Sequence, residues 1–246
     1  MQKGSGDPPL LLLHGFAATS GCWQPVLDRL NDNRLVIAHD LPGHGKSADY
    51  STSGRTAEAA DAILDDMVSR DIDAAHFCGH SMGGAIACLI ALKSPAHVRS
   101  LTLLAPGAFG PEINARLLRR FAIADREETL RPLFEQFYGW HAKVNEKALA
   151  NLLEDRKRAD AGEIYLRFAE KFLNAQRQYE ISREALNQLN IPVKVVWGTQ
   201  DRIVPTRQAH KLPGEFAVHV FEGVGHSIID EIPDQIVRLL DGQTGN

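Results

Sequence analysis

The chain has 246 residues, of which 44% are hydrophobic and 24% charged, and its formal net charge at pH 7 is -4. These values are ordinary for a globular chain of one domain, and they argue against nucleic acid or an anionic membrane surface as a partner. Its cysteines, Cys22, Cys78 and Cys88, lack metal-ligand spacing, and we expect no metal and no cofactor. No signal-peptide pattern opens the sequence, which predicts a cytoplasmic protein.

Short apolar runs alternate with helical periodicity over the first hundred residues. Strands are predicted at residues 10–13, 35–39, 75–78 and 101–105. Helices are predicted at residues 22–30, 55–70 and 82–92, where apolar side chains recur at helical spacing. Such continuous apolar runs are typical of strands buried on both faces of a parallel sheet. Only nine residues precede the first run, so we expect a sheet that begins short and leaves one edge uncovered.

The pattern changes between residues 107 and 187, where helical periodicity with balanced charges replaces the apolar runs. This predicts a helical insertion, the cap, over residues 107–187, between core segments 1–106 and 188–246. The alternation then resumes, with strands at 193–197 and 217–221 and helices at 206–212 and 233–240. We therefore expect an α/β fold, with a doubly wound, mostly parallel sheet and a helical cap.

One stripe of the cap is unusually aromatic. It contains Phe134, Phe137, Tyr138 and Trp140. These four side chains are candidates for an apolar pocket that binds substrate. Packing within the cap itself is the alternative role for most of them.

A candidate nucleophile lies between the strand at 75–78 and the helix at 82–92. Residues 79–84 read Gly-His-Ser-Met-Gly-Gly, with Ser81 at the centre of a Gly-x-Ser-x-Gly pattern. A strained strand-to-helix turn requires such small neighbours, because a Cβ at position 79 or 83 would collide with nearby backbone. A turn of this kind holds the Ser81 hydroxyl clear of the sheet. The alternative is a glycine-rich turn with an incidental serine.

A base and an acid follow later strands. A serine hydroxyl needs a base to take its proton, and the base needs an acid that fixes its tautomer. His226 lies in a glycine-rich loop after the strand at 217–221, and Asp201 follows the strand at 193–197. Because the carboxyl ends of parallel strands meet at one edge of a sheet, we expect Ser81, Asp201 and His226 to meet there. Asp230, four residues beyond the histidine, is expected at a helix entry or on the surface.

The tetrahedral intermediate of such a reaction needs two preorganised donors for its oxyanion, usually backbone N–H groups. The N–H of Met82, directly after the serine, is one candidate. The second is the N–H of Phe16, in the His-Gly-Phe turn at 14–16 that follows the first apolar strand. The turn-rich loop at 40–47 is expected to brace the loops around this site.

With these motifs in place, the sequence resembles the α/β-hydrolase superfamily over nearly its whole length. The resemblance rests on residues 14–16, 40–47, 79–84, 198–205 and 223–226. It implies a hydrolase fold in which nucleophile, acid and base follow one another along the chain, as they do here. A dehalogenase is disfavoured, because that branch needs an aspartate at the position of Ser81.

A narrower similarity is to the hydrolase-like C-terminal domain of the dihydrolipoamide acetyltransferase component of acetoin dehydrogenase complexes. Residues 105–114, the Lys157-Arg158 pair and residues 196–205 carry this similarity. That component has an N-terminal lipoyl domain, and no such domain is found in these 246 residues. Acyl transfer to lipoyllysine is therefore not inferred.

The leading hypothesis is a serine hydrolase that cleaves a small to medium ester or thioester. Its expected partner is a small ester-like molecule, and neither nucleic acid nor a membrane is expected to bind. An uncovered sheet edge would favour a homo-oligomer. Two alternatives stay open: hydrolysis of carbon–carbon bonds in vinylogous diketones, and a non-catalytic module that binds a small molecule or a partner subunit. The sequence does not place the cap side chains, so it leaves the substrate open.

Overall fold

A seven-stranded sheet forms the centre of the protein in the computed structural model, which describes residues 1–210 and 212–241. Its strands are β1 (Gln2–Lys3), β2 (Leu10–Leu13), β3 (Val36–His39), β4 (Ala75–His80), β5 (Val98–Leu104), β8 (Val193–Gly198) and β9 (Ala217–Phe221). Their spatial order is β1-β3-β2-β4-β5-β8-β9, and every neighbouring pair is parallel except β1 with β3. A separate antiparallel hairpin joins β6 (Leu173–Asn174) and β7 (Arg177–Gln178). The expected α/β fold with a mostly parallel sheet is confirmed.

Helices connect the strands. They are α1 (Gln24–Leu27), α2 (Thr56–Ser69), α3 (Met82–Lys93), α4 (Ala115–Ile123), α5 (Glu127–Phe134), α6 (Glu146–Asp155), α7 (Ala161–Phe172), α8 (Arg183–Leu186), α9 (Ile228–Glu231) and α10 (Pro233–Asp241). In the core, α2 packs against α3 and α1 packs against α10. Across the described ranges, none of the helices has both the length and the apolar character needed to cross a membrane.

Two predicted helices are shorter than expected. The helix predicted at 22–30 is a 3₁₀ turn over Ser20–Trp23 followed by the single turn of α1, because Pro25 in its first turn starts a new helix. The helix predicted at 206–212 is only a 3₁₀ turn over Thr206–Ala209. Pro213 follows closely and disfavours helical backbone at the residue before it. Lys211 of that prediction lies outside the described residues.

The sheet edge beside β3 is not bare, which corrects the expectation of an uncovered edge there. Gln2 and Lys3 pair antiparallel with Ile37 and Val36, so β1 covers part of β3. The Lys3 ammonium further fixes this strand by donating to the backbone oxygens of Leu27, at the end of α1, and of Leu30, at 2.7 and 2.6 Å. Two polar residues carry no strand pattern, which is why the sequence did not indicate β1.

The registers of the central strands bring their carboxyl ends to one edge. The four leucines of β2 are fully buried, as expected for a strand with neighbours on both sides and helices on both faces. Leu13 at the end of β2 lies opposite both His39 and Gly79. Leu104 at the end of β5 lies opposite both His80 and Val196. The loops after β2, β3, β4 and β8 therefore start at the same edge.

The chain between β5 and β8 adds no strand to this sheet. Here α4 packs against α5 and α7, and α5 packs against α6. The segment is not purely helical, because β6 and β7 form a two-residue hairpin within it. A hairpin this short has no room for the alternating pattern that marks a strand in sequence.

Candidate active site

Ser81 stands at a strained turn between β4 and α3. Its φ of 52° and ψ of -114° lie in a region that residues with a side chain rarely adopt. Backbone hydrogen bonds hold the turn. The Ser81 N–H donates to the Leu104 carbonyl at 2.9 Å, and the Ser81 carbonyl accepts from the N–H groups of Gly84 and Gly107 at 3.0 and 2.9 Å. The surrounding backbone thus fixes a conformation that the serine alone would not choose.

Close backbone packing explains the glycines of this turn. A Cβ added to Gly79 would overlap the carbonyl of Gly83, and one added to Gly83 would overlap the carbonyl of Leu13. These are backbone atoms that cannot move aside as a flexible side chain can. The small residues predicted at 79 and 83 are therefore a geometric requirement.

His226 and Asp201 form a buried hydrogen-bonded pair. The Asp201 carboxylate lies 2.7 Å from His226 Nδ1, and both side chains are almost completely buried. Asp201 also accepts the N–H groups of Ile203 and Val204 at 2.8 and 2.9 Å, and the Trp197 indole N–H at 3.2 Å. A carboxylate held by so many donors accepts rather than donates, so the histidine carries its proton on Nδ1. Its Nε2 is then free to accept a proton.

A cavity of about 300 Å³ lies at this edge of the sheet. Ser81 and His226 both line it, as do Phe16 and Met82, whose N–H groups are the predicted oxyanion donors. In the described ranges, neither of those two N–H groups donates a hydrogen bond to another protein group. The loops after β2, β4 and β9 thus converge on one chamber.

The four aromatic candidates of the cap divide into two pairs. Phe134 and Phe137 line the cavity, and the Phe137 ring centroid lies 5.7 Å from that of His226. Tyr138 and Trp140 lie outside it. Tyr138 is buried with its hydroxyl on Asp230, and Trp140 is 66% exposed on the outer surface. Only Phe134 and Phe137 therefore remain candidates for contact with substrate.

The loop that presents Phe16 is oriented by two buried histidine rings. His14 donates from Nδ1 to the carbonyl of Gly15 at 2.8 Å. A trans peptide holds its C=O and N–H on opposite sides, so this bond turns the Phe16 N–H away from the His14 ring. His44 accepts the N–H of Ala17 at its Nε2, 3.3 Å away. Burial lowers the pKa of His14, and it lowers the pKa of His44 to about 3, which keeps both rings neutral.

The loop at 40–47 braces the same region, as the sequence predicted. The Asp40 carboxylate accepts the N–H of Ser20 at 2.6 Å and the N–H of Lys46 at 3.1 Å. It thereby joins the loop after β3 to the loop after β2.

His80 is a site residue that sequence reasoning did not single out. Its Nε2 donates to the carbonyl of His226 at 2.8 Å, which ties the turn carrying Ser81 to the loop carrying His226. A Cβ on Gly15 would lie 3.0 Å from His80 Nδ1, so the ring also touches the His-Gly-Phe turn at 14–16. Burial, followed by the neighbouring His226, lowers the pKa of His80 to about 3. In the sequence, the only indication of a role for His80 was its position inside the Gly-x-Ser-x-Gly pattern.

Asp230 lies in the first turn of α9, which confirms the helix-entry alternative of the sequence expectation and corrects the surface alternative. It lies in α9 and lines the cavity, and it accepts the Tyr138 hydroxyl at 2.6 Å and the Asn145 side-chain amide at 2.7 Å. Burial raises its pKa. Both bonding partners come from the cap, more than eighty positions away in sequence, so no local pattern could have indicated them.

The chain belongs to the alpha/beta hydrolase family, which it matches over residues 10–239. A dihydrolipoyllysine-residue acetyltransferase component of the acetoin cleaving system of Pseudomonas putida is 35% identical over 233 residues, which are 95% of this chain. Those residues are 62% of the relative, so this chain spans less than two thirds of its length. The narrower similarity noted in the sequence is thus confirmed.

Two further similarities are to hydrolases. Monoacylglycerol lipase abhd6-B of Xenopus laevis is 25% identical over 259 residues, covering 97% of this chain and 75% of the lipase. A solved meta-cleavage product hydrolase from Pseudomonas fluorescens IP01 has a TM-score of 0.84 at 21% identity, covering 99% of this chain and 92% of that one. The latter likeness is one of fold. Together with the family match, these similarities show the hydrolase fold.

Proposed function

We propose that this chain is a serine hydrolase that cleaves small to medium esters or thioesters. Ser81 Oγ attacks the acyl carbon while His226 Nε2 takes the hydroxyl proton, and Asp201 stabilises the resulting imidazolium. One observation carries the proposal. The His226–Asp201 hydrogen bond of 2.7 Å is buried beside a strained serine that opens on the same cavity.

The N–H groups of Phe16 and Met82 are proposed to bind the oxyanion of the tetrahedral intermediate. When that intermediate collapses, His226 gives its proton to the leaving alcohol or thiol, and Ser81 keeps the acyl group. Water, deprotonated by His226, then attacks the acyl-enzyme, and the acid is released as the bond to Ser81 Oγ breaks and His226 returns the proton to that oxygen. Loss of one such donor typically lowers the rate by about 10²–10³, so the two N–H groups carry a large share of the acceleration.

Residues 107–187 are proposed to act as the cap that selects the acyl group. Phe134, Phe137 and Phe121 pack together with their ring centroids 4.9–6.3 Å apart, and all three rings line the cavity. A volume of about 300 Å³ lies at the lower end of the range of ligand pockets, about 300–1,000 Å³, which favours a small or medium acyl group.

Thioesters belong in the proposal because of the acetyltransferase relative, whose name gives a dihydrolipoyllysine residue as its target. A thioester and an ester react through the same tetrahedral intermediate, and the leaving sulfur needs less help from His226 because a thiolate is the weaker base. The same triad geometry would therefore serve both substrates.

A panel of activated substrates tests this function. The panel contains p-nitrophenyl esters of graded acyl length, an acyl thioester and a ring-cleavage dienone, each given to wild type and to Ser81→Ala. We expect turnover of esters or the thioester that peaks at a short to medium acyl length and is lost in the variant. Faster turnover of the dienone would instead indicate a carbon–carbon hydrolase. No turnover at all, with ligand binding unchanged in His226→Ala, would indicate a non-catalytic module.

A pair of cap variants tests the acyl pocket. Phe134→Ala enlarges the cavity and should shift the preferred acyl chain to greater length, since each methylene in an apolar pocket is worth about 1–3 kcal/mol. Trp140→Ala removes an aromatic ring from the outer surface of the same cap and should leave the preference unchanged. Equal shifts in both variants, or none in Phe134→Ala, would contradict the assignment.

A further inference from the structure

The cap and the loop that carries His226 meet backbone to backbone. The N–H of Ser227 donates to the carbonyl of Phe137 at 2.8 Å. A Cβ on Gly225 would lie 2.5 Å from the backbone nitrogen of Gly139 and equally close to the carbonyl carbon of Tyr138. The position of the cap segment 137–140 and that of the base loop 223–227 are therefore set together.

One carboxylate joins the two segments at this junction. Glu231, at the end of α9, accepts the N–H of Gly139 from the cap at 3.0 Å. It also accepts the N–H of Gly225 from the base loop, at 3.0 and 3.2 Å to its two oxygens. Gly225 directly precedes His226, so the carboxylate lies one residue from the base. Each N–H is removed from water here, and losing its acceptor would leave a buried donor unpaired.

We propose that Glu231 is a positioning residue whose carboxylate clamps the cap to the base loop, so that His226 is aligned when the cap is seated. The inference rests on the proposed hydrolase function for its kinetic consequence. The neighbouring Asp230 has a different task. Its partners, the Tyr138 hydroxyl and the Asn145 amide, are cap side chains, whereas Glu231 holds the backbone of both segments.

The surroundings of Glu231 make the clamp sensitive to pH near neutrality. Burial is the main cause that raises its pKa to about 7, and the negative charges of Asp230 and Asp201 act in the same direction. The two N–H donors oppose this shift. Other ionisable groups near this junction are His226, which follows Gly225 in the base loop, and Tyr138 and Arg202 on the cap side. The Arg202 guanidinium donates to the Tyr138 carbonyl at 2.7 Å.

Protonation weakens the clamp for a simple reason. A carboxylate offers only strong acceptors, whereas a protonated carboxyl is neutral and turns one oxygen into an O–H donor that accepts an N–H only weakly. The clamp is therefore complete when Glu231 is ionised and loosens as the pH falls through about 7. A glutamine at this position mimics the loosened state at every pH, because its NH₂ group would face an N–H.

Amide resonances test the clamp without any assay of activity. The ¹⁵N-glycine spectrum is recorded from pH 5.5 to 8.5 in a His226→Gln background, which removes the imidazole next to Gly225. We expect the amides of Gly139 and Gly225 to titrate with one shared midpoint, and adding Glu231→Gln to abolish that titration. Separate midpoints, or a titration that survives the second substitution, would overturn the proposal. This result holds whether or not the chain is a hydrolase.

Kinetics with p-nitrophenyl acetate tests the consequence for catalysis. A misplacement of about 1 Å can cost about 10²-fold in rate, so we expect Glu231→Gln to lower kcat about 10- to 100-fold with a smaller change in KM. The wild-type acid limb should show two ionisations and that of the variant one. The control is Glu222→Gln, an exposed carboxylate nearby in the chain, which should match wild type. An unchanged two-step limb in Glu231→Gln would show that the carboxylate has only a structural role.

Discussion

Replacing Asp201 with asparagine removes the proposed acid while keeping the shape of its side chain. Asp201 Oδ1 accepts the N–H groups of Ile203 and Val204 at 2.8 and 2.9 Å, and Oδ2 faces His226 Nδ1 at 2.7 Å. An asparagine satisfies the two backbone donors only with its oxygen on their side, which turns its NH₂ group toward the histidine. Nδ1 must then accept, and the proton moves to Nε2, the nitrogen that should receive the proton of Ser81.

The reversed tautomer should cost far more activity than stability. The same exchange in a serine protease triad lowers kcat by about 10⁴, and we expect a loss of this size here. It corresponds to about 5.5 kcal/mol of transition-state stabilisation, at about 1.36 kcal/mol for each factor of ten. The two backbone donors keep their acceptor in the folded state, and the Trp197 indole N–H keeps the Val204 carbonyl at 2.9 Å. The free energy of unfolding should therefore fall by only about 1–3 kcal/mol.

Ester turnover and urea unfolding, measured on the same Asp201→Asn sample, test this separation. The matched control is Asp73→Asn, which makes the same exchange at an exposed position and should leave both quantities unchanged. A folded Asp201→Asn protein with wild-type turnover would refute the tautomer argument. A loss of activity matched by complete unfolding would place the aspartate in the structure rather than in the chemistry.

Three further predictions follow from the geometry of the site. His14→Phe removes the hydrogen bond that orients the peptide carrying the Phe16 N–H, the second proposed oxyanion donor. Ester kcat should then fall by at least about tenfold, and by about 10²–10³ if that donor is lost completely. An unchanged kcat would exclude this orienting role. Gly83→Ala overlaps a backbone oxygen of β2 and should cost about 3 kcal/mol or more of unfolding free energy, whereas Gly214→Ala, with open space around it, should cost little. Burial lowers the pKa of His44 and His80 to about 3 in the folded protein, whereas histidines of an unfolded chain titrate at about 6.5. Between these values the unfolded state binds more protons, so the free energy of unfolding should fall as the pH drops from about 6.5 toward 3. Equal urea midpoints at about pH 5 and pH 7.5 would contradict this.

The sheet and the positions of the reactive groups were predictable from sequence because each depends on local pattern. The four leucines of β2 are buried on both faces, which is what an uninterrupted apolar run indicates. Ser81, Asp201 and His226 each follow a strand, and parallel pairing alone brings the ends of those strands together. The strained turn was legible because its close backbone packing excludes a Cβ at positions 79 and 83.

The lining of the cavity was not predictable in the same way. Phe134, Phe137, Tyr138 and Trp140 read as one stripe only if the helix continues through them. The structure ends α5 at Phe134, and a 3₁₀ turn over Glu135–Phe137 follows. Tyr138 then adopts extended backbone, with φ -94° and ψ 156°, which breaks the helical stripe and carries the last two rings away from the cavity. Helix termini are the least certain part of any pattern-based prediction.

The carboxylates of α9 escaped prediction because their partners are distant in the chain. Glu231 binds Gly139, and Asp230 binds Tyr138 and Asn145, across separations of 85–92 residues. Periodicity and motif spacing report on neighbours within an element and carry no information on such contacts. The same limit applies to His80, whose carbonyl partner is 146 positions away.

The proposed function requires Ser81 to be a nucleophile that His226 activates. Intact-mass measurement after reaction with a fluorophosphonate tests it most directly, because the probe forms a stable bond only with an activated serine. We expect one adduct in wild type, localised to the peptide that contains Ser81, none in Ser81→Ala, and strongly slowed labelling in His226→Ala. A folded wild-type protein that takes up no probe, or an adduct that persists in Ser81→Ala, would contradict it.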